Sequence, residues 1–290
     1  MIDASVGCDV ATVALDAPRK SGVLKRLASA LVLLPVFLLI VVKAPSWMFN
    51  ALVVIASAGA LWELVRLFEQ AGRPIDRGLA IVAGVAVTAS FAAARLMDPL
   101  ALPVFTLLIA VVAVLAAPVW RGTPDVARSA NTLLAITYIG WLLGFGILLH
   151  HTSPLGDELV LYVVGVTWIG ETAAHIAGST VGRHKLAPVI SPKKTVEGAL
   201  AQLAASIATG AAVGAWLLPS CGWAVWLGAG ALLGVIGQFG DLAESAIKRS
   251  VGTKDTGALI PGHGGVLDRI DSLLFNLPAF YYFSRLAGCS

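Results

Sequence analysis

The chain has 290 residues, of which 58% are hydrophobic and 13% are charged, and its formal net charge is +3. A mean hydropathy of +0.86 excludes an ordinary soluble domain and predicts an all-α protein that crosses a membrane several times. The three cysteines form no CxxC pair, so we predict neither a disulfide framework nor a thiolate metal site.

About nine apolar segments are long enough, or nearly so, to cross a hydrocarbon layer about 30 Å thick. Residues 1–20 precede them as a polar tail, which we expect to be disordered on the cytoplasmic side. The predicted spans are approximately 27–43, 47–68, 78–97, 101–119, 129–150, 158–179, 198–219, 222–245 and 272–288. We expect one integral unit in which residues 21–155 form a scaffold (spans 1–5) and residues 156–290 form the catalytic half (spans 6–9).

The distribution of Lys and Arg predicts the orientation. If the N-terminus is cytoplasmic, 17 of the 20 Lys and Arg residues fall on the inner side. Such an excess is what the positive-inside rule requires. We therefore expect an integral membrane protein with a cytoplasmic N-terminus, in a bacterial inner membrane, with its functional site facing the cytosol.

The first five spans contain one notable acid, Glu63, near the inner end of span 2. The favoured partner is Arg66, because residues three apart on a helix share a face. A functional role for Glu63 is the alternative.

Polar residues enter the spans themselves from about residue 168 onward. Span 6 carries Glu171, Thr172 and His175, and span 8 carries Gln238 and Asp241. Because polar groups are costly inside a membrane, their presence marks the last four spans as the working half.

The loop before span 7 is basic. Ser191, Lys193, Lys194 and Thr195 lie just ahead of a helix N-terminus. Ammonium and hydroxyl groups at such a position favour an anion site. The alternative is a basic loop that merely obeys the positive-inside rule.

Acidic residues flank the next inner loop at helical spacing. Asp241, Glu244 and Lys248 share a face at the end of span 8, and Asp268 and Asp271 share one at the start of span 9. Carboxylate oxygens from two helices are suitable ligands for Mg²⁺, which also binds substrate phosphates. The alternative is a set of ion pairs that close the inner end of the bundle.

The intervening loop is rich in glycine. The sequence Gly262–Gly265, which includes His263, places unhindered backbone N–H groups beside Lys254 and Arg269. Such groups suit phosphate oxygens, although the pattern is not a P-loop and a plain turn is the alternative.

The segment Ser245–Asp271 resembles the signature of the phosphatidate cytidylyltransferase (CDP-diacylglycerol synthase) family. The elements are SxxKR, KD, PGHGG and LDRxD, and the upstream SPKKTxEG and GDLxES elements at Ser191–Gly198 and Gly240–Ser245 match as well. The signature positions are Ser245, Lys248, Arg249, Lys254, Asp255, Pro261–Gly265, Asp268, Arg269 and Asp271.

The resemblance implies a membrane enzyme that transfers CMP from CTP to phosphatidate, giving CDP-diacylglycerol and pyrophosphate in phospholipid biosynthesis. The metal-binding aspartates of the family correspond to Asp241 and Asp268, and we expect Asp271 and Glu244 to assist them in holding Mg²⁺, with a second cation as an open alternative. Lys248 and Arg269 complete the expected catalytic set. The expected substrate-binding residues are Ser191, Lys193, Lys194, Thr195, Arg249, Lys254, Asp255, His263, Gly264 and Gly265.

One element departs from the family pattern. Span 6 usually carries an aspartate and a tyrosine where this chain has Glu171 and His175. A carboxylate that is longer by one methylene shifts the geometry of an ordered site. The departure leaves open a paralogue that uses another lipid phosphate.

Other functions are also compatible with the sequence. A CTP-dependent polyprenol or phytol kinase would release CDP, and an ion transporter would use Glu171, His175 and Asp241 as a relay. An inactive scaffold homologue is a further alternative. The expected partners are CTP, phosphatidate or a related lipid phosphate, and membrane lipids, and not nucleic acid; a homodimer is left open.

Overall fold

The computed structural model describes residue 31 and residues 34–95, 98–253 and 264–289. These residues form a helical bundle with a single two-stranded hairpin. The expected polar tail at residues 1–20 lies outside the described residues.

The first group of helices precedes residue 152. It comprises α1 (Leu34–Lys43), α2 (Ser46–Gln70), α3 (Arg77–Ser90), a 3₁₀ turn (Phe91–Arg95), α4 (Ala101–Arg121), α5 (Val126–Ala135), a π-helical segment (Ile136–Trp141) and α6 (Leu142–His151). The segments from Val126 to His151 form one continuous helix.

The second group carries the hairpin. It comprises α7 (Gly156–Thr180), β1 (Lys185–Ala187), β2 (Ser191–Thr195), α8 (Val196–Leu217), a 3₁₀ turn (Pro219–Cys221), α9 (Trp223–Ser250) and α10 (Leu267–Leu286). The strands β1 and β2 pair antiparallel, with Lys185 opposite Thr195 and Ala187 opposite Ser191.

Six helices of the described chain are long and apolar enough to cross a membrane. They are α2, α4, the continuous helix Val126–His151, α7, α8 and α9. The protein is therefore an all-α membrane protein, as predicted. The predicted spans 1, 3 and 9 correspond to less apolar or shorter helices, because α1 and α3 are short where described and α10 carries Asp268, Arg269 and Asp271 in its first turns.

Close helix packing defines the second group. A side chain at Gly230 of α9 would place its Cβ 2.5 Å from the carbonyl oxygen of Ser206 in α8. Only glycine permits that approach. Farther along, the Asn276 side chain of α10 donates a hydrogen bond of 2.8 Å to the Thr167 hydroxyl of α7 within the core. Helices α7–α10 therefore form one tightly packed unit.

A disulfide joins Cys221, just before α9, to Cys289, just after α10, with the Cα atoms 5.5 Å apart. The prediction of no disulfide framework, made from the absence of a CxxC pair, is therefore wrong for these two cysteines. The two cysteines are 68 residues apart in the chain, and α9 and α10 run antiparallel, so only the fold brings them together.

Candidate active site

The carboxylates meet where α9 ends and α10 begins. One oxygen from each of Asp241, Glu244 and Asp271 lies within 4.8 Å of the others, a set that we call the carboxylate cluster. Glu244 is 1% exposed and Asp271 is 9% exposed. The spacing of Asp241 and Glu244 on one face of α9 is the one that the sequence predicted.

A glycine brings the two helices close enough for this cluster. A Cβ at Gly240 would lie 2.7 Å from the carbonyl oxygen of Asp271 and 2.9 Å from the Cα of Ser272. Real Cβ atoms do not approach backbone atoms so closely, because the overlap is strongly repulsive. Glycine at position 240 therefore sets the separation between the carboxylates of α9 and those of α10.

Lys248 connects the cluster to Asp268. The Lys248 ammonium group lies 2.6 Å from Glu244 Oε2 and 2.9 Å from Asp268 Oδ1. The other oxygen of Asp268 accepts a hydrogen bond of 3.2 Å from the backbone N–H of Gly265. Asp268 thus lies at the edge of the cluster, whereas the resemblance assigns it a central metal-binding role.

A cavity of about 500 Å³ adjoins the cluster. Helix α7, the hairpin and helices α8 and α9 form its walls. The polar and charged lining residues are Glu171, His175, Ser179, Lys185, Lys193, Lys194, Thr195, Gln202, Gln238 and Asp241. We call this space the basic cavity, since three lysines line it.

Asp241 belongs to both the carboxylate cluster and the wall of the basic cavity. The ammonium group of Lys194, on β2, lies 2.8 Å from Asp241 Oδ2. The acidic end of α9 and the basic hairpin are therefore adjacent, and these two side chains make a contact between them. The sequence alone had not paired them.

Hydrogen bonds hold the hairpin beside the cavity. The Thr195 hydroxyl caps α8 by accepting from the backbone N–H of Gly198 at 3.1 Å. Glu197 accepts from the backbone N–H of Arg183 at 3.0 Å and contacts His184 Nδ1 at 2.6 Å. The hairpin is thereby anchored at both of its ends, which fixes the position of the lysines on β2.

Several of the predicted substrate-binding residues have other contacts in the structure. The Arg249 guanidinium donates to the carbonyl oxygens of Ile190 and Thr253, each at 3.2 Å. Gly264 has a φ of +87°, a conformation that glycine adopts readily, and the N–H of Gly265 faces Asp268. Thr195, as noted above, caps a helix.

The remaining predicted residues divide into three groups. Ser191 lies on β2 and is half-buried, and Lys193 lines the cavity and is exposed. Arg269 is exposed in the first turn of α10. Lys254, Asp255 and His263 lie outside the described residues.

The structure adds residues to those predicted for the site. Lys185 on β1 lines the cavity, and so does Gln238, whose amide nitrogen donates to the carbonyl oxygens of Ala199 and Gly234, each at 3.0 Å. Gln238 was visible in the sequence as a polar residue within a span, and Lys185 was visible only as part of a basic loop. Glu171 and His175, the two departures from the family pattern, both line the cavity.

The donor chemistry of the carboxylate cluster fits a divalent cation. All three groups offer carboxylate oxygens, the ligands that Mg²⁺ prefers. None of the described residues forms an ion pair with the buried Asp271, whose Oδ1 accepts from the N–H of Ser272 at 2.7 Å. A buried carboxylate needs a compensating positive charge, and a cation held by the cluster would provide one.

Fold and site together define an integral membrane protein with a carboxylate cluster and a basic cavity that meet at one end of its helices. The chain belongs to the cytidylyltransferase family, whose sequence profile matches residues 24–287. The family that the signature predicted is thereby confirmed.

Individual relatives support this assignment. The chain is 39% identical over 150 residues to a phosphatidate cytidylyltransferase of Staphylococcus aureus (strain COL), covering 52% of this chain and 56% of the relative. It is 42% identical over 139 residues to a phosphatidate cytidylyltransferase of Brucella suis biovar 1 (strain 1330), covering 48% and 51%. It is also 41% identical over 155 residues to the uncharacterized protein YnbB of Escherichia coli (strain K12), covering 53% and 50%. The matched region spans about half the length of these relatives.

Proposed function

We propose that this protein transfers CMP from CTP to phosphatidate, giving CDP-diacylglycerol and pyrophosphate. The observation that carries the proposal is the position of Asp241, which belongs to the carboxylate cluster and also to the wall of the basic cavity. A site that joins cation ligands to a basic cavity suits a metal-bound polyphosphate. Membership of the cytidylyltransferase family and the names of the relatives support the choice of nucleotide and lipid.

The reaction needs positioning and charge neutralisation more than a strong base. A phosphate oxygen of phosphatidate attacks the α-phosphorus of CTP and forms a new P–O bond. The bond between the α-phosphorus and the oxygen that bridges to the β-phosphorus breaks, and pyrophosphate leaves with that oxygen. Because the attacking oxygen is already anionic, no side chain has to remove a proton, and catalysis depends on holding the two polyanions in line.

Asp241, Glu244 and Asp271 would hold Mg²⁺, with Asp268 at the edge of the set. When bound, the ion would neutralise charge on the phosphates during transfer. Lys248 contacts both Glu244 and Asp268, so it orients two carboxylates from different helices at once. These contacts prepare the cluster before the nucleotide arrives, which is the basis of electrostatic preorganisation.

Lysines of the hairpin would bind the phosphates. Lys185 on β1 and Lys193 and Lys194 on β2 all line the cavity. Lys194 lies 2.8 Å from Asp241 Oδ2, so its ammonium group is within reach of a phosphate bound at the cluster. Arg269, in the first turn of α10, and the signature residues Lys254, Asp255 and His263, which precede α10 in the sequence, would complete the substrate contacts.

The lipid would enter the cavity from the side. Ile176 on α7 and Leu200 on α8 are 57% and 61% exposed, and each directly follows a residue that lines the cavity. Exposed apolar side chains on the helices that line the cavity suit acyl chains, while the charged lining suits the headgroup. The positive-inside distribution supports a site that faces the cytosol at a bacterial inner membrane.

The proposal is tested with purified protein in detergent, supplied with CTP, Mg²⁺ and phosphatidate. We expect release of one pyrophosphate per lipid converted. Release of CDP would instead indicate a kinase, and conversion of another lipid phosphate in preference to phosphatidate would indicate the paralogue. No nucleotide turnover with any of these acceptors would contradict the proposal.

A further inference from the structure

Glu63 makes a contact that its position in the sequence did not predict. It is 1% exposed, in α2, and its Oε2 accepts a hydrogen bond of 2.9 Å from the backbone N–H of Leu267. Leu267 is the first residue of α10 and lies 204 positions away in the chain. The expected partner, Arg66, places its guanidinium 4.4 Å from the centre of the Trp62 ring. The interpretation of Glu63 as an interfacial partner of Arg66 therefore missed its contact with α10.

Among the described residues, the start of α10 lacks a side-chain cap from its own N-cap position. Its N-cap position is occupied by Val266, which makes no side-chain capping hydrogen bond. The first N–H groups of a helix have no partner within the helix, and a carboxylate there is also favoured by the helix dipole. Glu63 therefore provides, from another helix, the capping oxygen that a local Ser, Thr or Asp side chain provides in most helices.

Side-chain packing also holds the start of α10 against α2. A Cβ at Gly59, one turn before Glu63 on α2, would lie 3.4 Å from Val266 Cγ2. Leu267 is fully buried. The start of α10 is therefore held against α2 by an apolar contact as well as by the hydrogen bond, and neither can shift without disturbing a buried surface.

We infer that Glu63 is a positioning residue that fixes the first turns of α10 and, through them, the carboxylates of Asp268 and Asp271. Asp268 follows Leu267 directly, and Asp271 lies about one helical turn further on. The register and tilt of α10 determine where these carboxylates lie relative to Asp241 and Glu244 on α9. A side chain of the first group of helices thus sets the geometry of a site built from the second group.

The inference predicts weaker cation binding when Glu63 is changed. Mn²⁺ serves as the probe, because its free form can be titrated by electron paramagnetic resonance in the absence of CTP. We expect Glu63→Leu to weaken Mn²⁺ binding and lower kcat by about 10-fold, since partners that orient metal ligands typically contribute that much. The KM for CTP should change less than about twofold, because none of the residues that line the basic cavity lies on α2 or α10.

Two further variants make the test specific. Glu63→Gln keeps an oxygen that can accept the Leu267 N–H but loses the charge, so we expect an intermediate effect of about threefold on Mn²⁺ binding. Glu69→Gln makes the same chemical change at an exposed position of α2, where Glu69 lies 3.9 Å from Arg77, and should match the wild type. Mn²⁺ binding and kcat within twofold of wild type in Glu63→Leu would overturn the inference. If Glu63→Leu does not fold, an unchanged Mn²⁺ midpoint in Glu63→Gln would overturn it.

Only the kinetic part of this test rests on the proposed function. A wild type that binds Mn²⁺ but makes no CDP-diacylglycerol would refute the proposed function, and the Mn²⁺ titrations would still decide the role of Glu63. A wild type that is active, with Glu63 variants that match it in both measurements, would refute the role of Glu63 and leave the proposed function intact.

Discussion

The two groups of helices use their charged residues differently. In the first group, the ion pairs of the described residues lie near helix ends and are partly exposed, as in Arg77–Glu69, Arg121–Asp76 and Arg128–Asp125. In the second group, Lys248 is 13% exposed and bridges Glu244, 1% exposed, to Asp268. Exposed pairs of the first kind contribute little to stability, whereas partly buried pairs must be held in place by the surrounding fold.

This difference is consistent with the proposal that the first group is a scaffold and the second group holds the site. The ion pairs of the first group lie at partly exposed helix ends. Its interior is mainly apolar, with Phe91 and Phe145 in ring contact and a buried hydrogen bond between the hydroxyls of Ser57 and Thr88. The second group places three carboxylates where two helices touch, next to a basic cavity. Glu63 is the exception in the first group, because it is buried and contacts α10. The most informative substitutions therefore compare residues of the carboxylate cluster with residues elsewhere in the helical bundle.

The largest expected effect follows substitution of the residue that the cluster and the cavity share. Asp241→Asn removes a charge from both, so we expect CDP-diacylglycerol formation to fall by at least about 100-fold. The matched control is Asp157→Asn in the first turn of α7, where Asp157 contacts His150 at 3.3 Å; α7 starts at the end of the bundle opposite the site. A comparable loss in both variants would show that the loss does not depend on the carboxylate cluster.

A smaller effect is expected where the helices touch. Gly240→Ala would place a Cβ 2.7 Å from the carbonyl oxygen of Asp271 and push α10 away from α9. Such overpacking typically costs about 1–3 kcal/mol of stability, and the shifted carboxylates should lower kcat by about 10-fold. Thermal unfolding and turnover should be measured beside Gly165→Ala, because a Cβ at Gly165 meets nothing within 4 Å. Equal activity in the two alanine variants would contradict the packing account.

The next largest effect is expected on the KM for CTP when either of two neighbouring lysines is replaced. Lys194 is 22% exposed at its side chain and pairs with Asp241, whereas Lys193 is exposed and lines the cavity. We expect Lys194→Ala to raise the KM for CTP by about 10-fold, the value of one charge-assisted hydrogen bond, and Lys193→Ala to raise it by about threefold. Steady-state kinetics at saturating phosphatidate measure both. An unchanged KM in either variant would indicate that this lysine does not bind CTP and belongs to a basic loop that merely follows the positive-inside rule.

The smallest effect on turnover is expected at the opposite end of α9 and α10. Replacing Cys221 and Cys289 together by serine removes a bond that closes a loop of 68 residues. Loss of a disulfide typically costs about 2–4 kcal/mol, so the melting temperature should fall by about 5 °C or more. Turnover at 25 °C should stay within twofold of wild type, because the bond is remote from Asp241. A large loss of turnover in a folded variant would show that the whole second group acts as one mechanical unit.

Local patterns in the sequence predicted part of the geometry of the candidate site. The spacing of Asp241, Glu244 and Lys248 placed them on one face of a helix, and the structure brings the two carboxylates of that set together with Asp271. Hydropathy predicted the helical membrane architecture, although α10 is less apolar than a typical span because it carries site residues in its first turns. Both successes depend on contacts within one helix or between adjacent helices.

Long-range contacts could not be predicted in the same way. The Lys194–Asp241 ion pair, the capping of α10 by Glu63 and the disulfide join residues that are 47, 204 and 68 positions apart. Helical periodicity carries no information at such separations. The role of Gly240 was equally hidden, because a glycine within an apolar span becomes informative only when the neighbouring backbone is known.

The fate of the α-phosphate of CTP tests the central claim most directly. Purified protein in lipid nanodiscs that contain phosphatidate would receive CTP labelled at the α-phosphorus in one sample and at the γ-phosphorus in another. We predict that the α label appears in the lipid fraction and that the γ label is released as pyrophosphate, with both signals lost in Asp241→Asn. Transfer of the γ label to lipid, or no label in lipid from either sample, would contradict nucleotidyl transfer at this site.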